Sequence, residues 1–107
     1  MKTKIKNEIR NIANKISAKL KISRIILFGS YAYGKPTDNS DIDLCIIIDE
    51  DNRRKIDISR EIRREIMGDI TKSIDIFVYS KDEFENKAKN LTGLERLISE
   101  KGLIIYG

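Results

Sequence analysis

The 107-residue sequence contains no histidine. That absence removes Ser-His-Asp and Cys-His catalysis together with the commonest general base, so any chemistry must run on carboxylates. Cysteine occurs once, as Cys45 inside the apolar run LCIII. An intrachain disulfide is therefore impossible, a zinc site is disfavoured, and the expected role is a small buried thiol rather than a nucleophile. Long hydrophobic stretches are also missing: RIILFG and LCIII are the main apolar runs, far short of the ~20 residues of a membrane-spanning helix. The basic opening MKTKIKNEIRNIANKI spaces its apolar residues instead of joining them into a secretory h-region, and a cytoplasmic address is expected.

What is present describes one folded unit. Hydrophobic residues make up 40% and charged residues 36%, with one Pro and six Gly, a composition that can fold around one core rather than stay disordered. The length suits a single domain over residues 1–107, large enough for one core and too small for two. The net charge of +4 comes from 21 basic and 17 acidic residues. Its basic runs, NRRK and REIRRE, read first as solvated helix faces, with few aromatics interleaved, so charge alone does not mark a nucleic-acid module.

Periodicity supplies the elements. Ile5, Ile9, Ile12, Ile16 and Leu20 recur at three- and four-residue steps and predict an amphipathic helix. RIILFG predicts a strand ended by Gly29, KPTDNS a loop, and IDLCIII a second strand, apolar on both faces after Asp43 and so central in a sheet. Asp49, Asp51 or Asn52 can cap a helix carrying Ile58, Ile62 and Ile66, with Gly68 as its stop. SIDIFVYS predicts a third strand, with Ile74, Ile76 and Val78 on one face and Asp75, Phe77 and Tyr79 on the other. Ser80 with Glu83 and Thr92 with Glu95 have capping-box spacing, which predicts two short helices, one carrying Phe84, Ala88 and Leu91, the other Leu94, Leu97 and Ile98. LIIYG after Gly102 completes the list as an edge strand. The order implies a small α/β or α+β sheet with flanking helices.

Chemistry concentrates in LFGSYAYGKPTDNSDIDL, residues 27–44. Asp41 and Asp43 lie two apart on a predicted strand, so they project from one face roughly 7 Å apart along the chain. Asp75 is the other acid inside a predicted strand and can join them if the second and third strands are neighbours. Three carboxylates so placed repel one another unless a cation neutralises them, and oxygen ligands without His or Cys point to magnesium or manganese completed by a nucleotide phosphate. Gly29 and Ser30, at a strand end where a helix could begin, suit a phosphate. GSYAYGK matches the first seven positions of a P-loop, but Pro36 stands where Ser or Thr should hold magnesium. DNSDID lacks the glycine and the terminal glutamate of a calcium loop.

Gly29-Ser30, ten intervening residues, then Asp41-Ile42-Asp43 resembles the GSX10DXD signature of the DNA polymerase beta-like nucleotidyltransferase superfamily. The size resembles its minimal nucleotidyltransferases, which often serve as antitoxin partners of HEPN-domain ribonuclease toxins. The resemblance implies a small mixed sheet with flanking helices and two magnesium ions held by Asp41 and Asp43. It also implies that Asp75 shares one ion and helps activate the acceptor hydroxyl, and that Gly29 and Ser30 bind the phosphates of ATP. The implied reaction is AMP transfer from ATP to a hydroxyl, that of a tyrosine, of a HEPN toxin. Two ions about 3.5–4 Å apart can stabilise both oxygens of such an in-line displacement. Many minimal members carry GSRARG-like stretches, whereas Tyr31 and Tyr33 stand here, with Lys35 near; packing is the default role for Tyr33. No second domain is evident to recognise the acceptor, so a separate macromolecule is expected to present it. Two alternatives stay open: an antitoxin that neutralises its partner by binding, and a nucleotidyltransferase acting on RNA or a small molecule.

Overall fold

A computed structural model describes residues 2–49 and 53–107. Helix α1, Thr3–Lys19, buries Ile5, Ile9, Ile12, Ala13 and Ile16 along one stripe, and Leu20 caps its end by donating its N–H to the Ile16 carbonyl. Strand β1, Ile22–Phe28, runs to Gly29; a single helical turn α2, Ser30–Tyr33, follows, and β2, Ile42–Ile48, returns. Then come α3, Lys55–Ile66; β3, Ile74–Ser80; α4, Lys81–Ala88; α5, Leu94–Lys101; and β4, Leu103–Tyr106. The four strands form one mixed sheet in the order β3-β2-β1-β4. β1 pairs antiparallel with both β2 and β4, and β2 pairs parallel with β3.

The period of two along each strand sorts the core into two layers. Ile25, Leu27, Ile42, Leu44, Ile46 and Ile48 face α1 and α3, whose Ile12, Ile16, Ile58 and Ile62 pack on them. Ile26, Phe28, Cys45, Ile47 and Tyr79 face the other way, under Phe84 of α4 and Ile98 of α5. β2 is the strand covered on both faces, as its unbroken apolar run from Leu44 requires, and all five of its residues Leu44–Ile48 are buried. The edge position of β4 and the face assignment of β3 also agree with the sequence reading.

Three local expectations change. Helix α3 has Arg54 at its N-cap with no side-chain cap, and its first turn is held instead by the Arg54–Asp57 ion pair at 3.0 Å. Asp49 precedes that start on a bend, and Asp51 and Asn52 lie outside the described residues. Ser80 does cap α4, accepting from the Glu83 N–H at 3.2 Å. Thr92 does not cap α5, because Gly93 occupies that position and no side chain contributes. Leu91 is not on α4, which ends at Ala88; it is 83% exposed, as a residue in the turn between two short helices must be when the turn itself covers no core. Gly68, at φ +87°, lies just past the end of α3 in a conformation that favours glycine. Arg53, Arg54, Arg60, Arg63 and Arg64 are all exposed, the solvated face expected of the basic runs. Among the described residues no helix is long and apolar enough to cross a membrane.

Candidate active site

The topology brings three chain segments to one end of the sheet. Because β1 and β2 are antiparallel, the end of β1 lies beside the start of β2; because β2 and β3 are parallel, both start at that same end. Asp43 is thereby placed opposite Phe28 of β1 on one side and Asp75 of β3 on the other. The register joins Asp75 to the Asp41–Asp43 pair, which the sequence could state only as a condition on strand order. Asp43 is half-buried, while Asp41, just ahead of β2, and Asp75, on the edge strand, are exposed.

Burial pushes the Asp43 carboxyl above its usual range, and the charges of Asp75 and Asp41 and a hydrogen bond with Asp75 act in the same direction. A carboxyl so perturbed by desolvation and neighbouring acids at an open sheet end marks a candidate functional site. The Asp43–Asp75 pair also fits the way magnesium is held, by one or two carboxylates with water and phosphate oxygens completing the shell. Among the described residues no group of three or more Asp, Glu, Cys or His side chains forms a metal cage by itself. A nucleotide phosphate would have to supply the remaining oxygens.

Gly29 closes the other wall. At φ +74° and ψ −155° it adopts a conformation open essentially to glycine alone. A β-carbon there would come within 2.1 Å of the Asp43 Oδ2. The bare backbone thus leaves the carboxylate its place, and α2 starts directly after it, the N–H groups of Ala32 and Tyr33 both bonding to the Gly29 carbonyl. The connecting loop is held by its own side chains: the Thr37 N–H donates to the Ser40 hydroxyl at 2.8 Å. Lys72 donates to the Asp38 carbonyl at 2.7 Å, and the Ile42 N–H to the Ser73 carbonyl at 2.9 Å, which ties the approach to β2 to the approach to β3.

An α2 of four residues cannot serve as the long helix of a P-loop. Packing in YAY falls mainly to Tyr31, which lies against the α1 and α3 core layer, whereas Tyr33 is 38% exposed. Lys35 is exposed beside them. Cys45 is buried, and desolvation pushes its thiol up to about 12, as expected of an inert side chain. One feature escaped the sequence reading: Phe77, two residues beyond Asp75 on the same face, meets Phe28 edge to face with ring centroids 5.4 Å apart and is 37% exposed. Alternation placed Phe77 on the Asp75 face, but its partner across two strands had no local signal.

A family described as Polymerase beta, Nucleotidyltransferase matches residues 7–102. A Methanocaldococcus jannaschii protein named "Putative protein adenylyltransferase" is 33% identical over 100 residues, 92% of this chain and 94% of that one. Among solved structures, a toxin-antitoxin with AMP-PNP is similar at a TM-score of 0.65 and 24% identity, over 94% of this chain and 73% of the other. A mutant of the toxin-antitoxin MntA-HpeT is similar at a TM-score of 0.63 and 21% identity, over 94% and 72%. At those identities the two structures speak for the fold.

Proposed function

The chain belongs to the polymerase beta nucleotidyltransferase family, and from that premise we propose that it transfers AMP from ATP to a hydroxyl of a partner protein. The observation that carries the reading is the register pairing Asp43 with Asp75 against the bare backbone of Gly29. Support for a protein acceptor comes from the protein adenylyltransferase name of the relative matched along nearly its whole length. Support for ATP, and for an antitoxin role, comes from the toxin-antitoxin structures that share the fold, one of them with AMP-PNP. The partner is, on the resemblance drawn from GSX10DXD, a HEPN ribonuclease toxin, and the acceptor a tyrosine hydroxyl.

Asp41, Asp43 and Asp75 are the residues that would hold magnesium. When bound, magnesium supplies positive charge that neutralises the triphosphate and the developing charge at the reacting phosphorus. Gly29 lets phosphate approach the main chain, and Ser30 offers its hydroxyl and N–H as donors. Asp75, exposed on the edge strand, is open to an acceptor and takes the proton from its hydroxyl, since no histidine exists to do so. The acceptor oxygen forms a bond to the α-phosphorus, the bond to the bridging oxygen breaks, and pyrophosphate leaves.

Incubation with labelled ATP, magnesium and the product of the neighbouring gene tests the reading. Label should pass to the partner from wild type and not from an Asp41→Ala, Asp43→Ala double variant. Absence of transfer from wild type, with protection of cells retained by the double variant, would instead establish neutralisation by binding.

A further inference from the structure

The sheet ends opposite β3 in β4, whose residues Leu103–Tyr106 pair only with β1 among the described residues. Edge strands in native proteins are commonly blunted by lysine, proline or bulges that turn them away. β4 reads LIIY, with no charge and no proline; its one such feature is a register shift against β1 that leaves Ile105 unpaired between Ile104 and Tyr106, and Leu103, Ile104 and Tyr106 are 46%, 54% and 38% exposed. Beside it, between α1 and the strand, lies a groove of about 480 Å³ floored by Ile9, Leu27 and Ile105. Its rim is cationic: Lys6 and Arg10 stand one turn apart on the exposed side of α1. Neither has an ion-pair partner among the described residues.

We propose that β4 and this groove receive an extended acidic-apolar segment of a partner protein, added to the sheet as a fifth strand. Main-chain hydrogen bonds along β4 give the attachment; every second side chain of the added strand faces α1, apolar where it lies over the groove and a carboxylate where it reaches Lys6 and Arg10 on the rim. A second copy of this chain is the poorer occupant. Antiparallel pairing of β4 with itself is satisfied for the apolar residues, but the two-fold axis then lies perpendicular to the sheet. It would put both α1 helices on one side and bring two Lys6–Arg10 pairs towards each other, like charge facing like charge. Docking at β4 leaves the acidic end of the sheet open, since Asp43 is two strands away and Asp75 three. The inference therefore stands apart from the nucleotidyl-transfer reading and does not depend on it.

The test is a titration of the isotope-labelled full chain, followed by amide NMR, with a capped synthetic peptide whose every second residue is threonine and whose intervening positions alternate valine and glutamate, and with the counterpart that has lysine in place of glutamate. The acidic peptide should shift the amides of Leu103–Tyr106 and bind about tenfold or more tightly than the lysine peptide, the preference weakening with salt. A Lys6→Glu, Arg10→Glu variant, whose changes are exposed and whose fold circular dichroism can verify, should reverse the preference. Ile104→Lys should weaken binding of the acidic peptide. Equal affinity for both peptides, shifts confined to residues around Asp43 and Asp75, or no binding would overturn the proposal. So would a dimer in sedimentation whose β4 amides are already protected from exchange without peptide.

Discussion

Asp43 lies so close to Gly29 that residue 29 has no room for a side chain: a β-carbon would sit 2.1 Å from the Asp43 Oδ2. Gly29→Ala should therefore cost stability twice, through the clash and through a backbone at φ +74° that alanine resists. The backbone term alone is about 1–3 kcal/mol. Urea denaturation of Gly29→Ala, Asp43→Ala and the double variant separates the two, because the clash disappears in the double variant and the strain does not. Additive losses would show that the contact carries none of the effect.

The raised Asp43 carboxyl makes the metal-free protein pH-sensitive. Its folded pKa lies above the usual 3.8, so the folded state holds the proton more tightly than the unfolded one. Stability linked to Asp43 is then fully present below 3.8 and is lost as pH rises through the raised folded value. Thermal melts of wild type against Asp43→Asn in chelator should show a larger fall for wild type over that window. Magnesium added at neutral pH should stabilise wild type and leave Asp43→Asn unmoved.

Tyr79 donates to the Glu95 carboxylate at 2.8 Å, a part-buried bond joining β3 to α5. Burial pushes the Tyr79 hydroxyl well above its ordinary pKa, with the Glu95 hydrogen bond adding to it, so it stays a donor throughout the neutral range. Tyr79→Phe keeps the ring contact with Phe84 and removes the bond. A loss of about 1–2 kcal/mol in equilibrium unfolding is expected, with nucleotidyl transfer unaltered.

The two capping-box spacings make a matched pair of controls. Ser80→Ala should lower stability by about 1 kcal/mol, because the Ser80 hydroxyl accepts from the Glu83 N–H. Thr92→Ala should be close to neutral, since α5 is entered through Gly93. Equal losses in chemical denaturation would contradict the observed helix start.

Cys45 should resist iodoacetamide in the native protein and react on unfolding. Its burial removes access, and its thiol, pushed up to about 12, offers almost no thiolate at neutral pH. Mass spectrometry after timed labelling checks both states.

Much of the candidate site was legible because its parts are local. The step from Gly29-Ser30 to Asp41-Ile42-Asp43 is a matter of counting residues, and the alternation of SIDIFVYS alone put Asp75, Phe77 and Tyr79 on one face. Helix ends were less legible. Ser80 and Thr92 carry the same spacing signal, yet only Ser80 caps, because the tight turn into α5 gives the N-cap position to Gly93. The contact between Phe28 and Phe77 was not legible, since the two lie on strands that never pair directly.

By itself the sequence determined the order of the main helices and strands and the apolar face of the longer ones, and it left carboxylates as the candidates for any chemistry in a chain without histidine. Those properties follow from periodicity and composition, which act over a few residues. The tertiary structure decided strand order and direction: that β2 runs parallel to β3, that Asp43 thus meets Asp75, and that Gly29 packs on the same carboxylate. It also decided that β4 ends the sheet with an uncharged edge beside Lys6 and Arg10. Such pairings join residues tens of positions apart and are selected by how the two apolar layers close over the sheet, a balance that no single stretch of the chain contains.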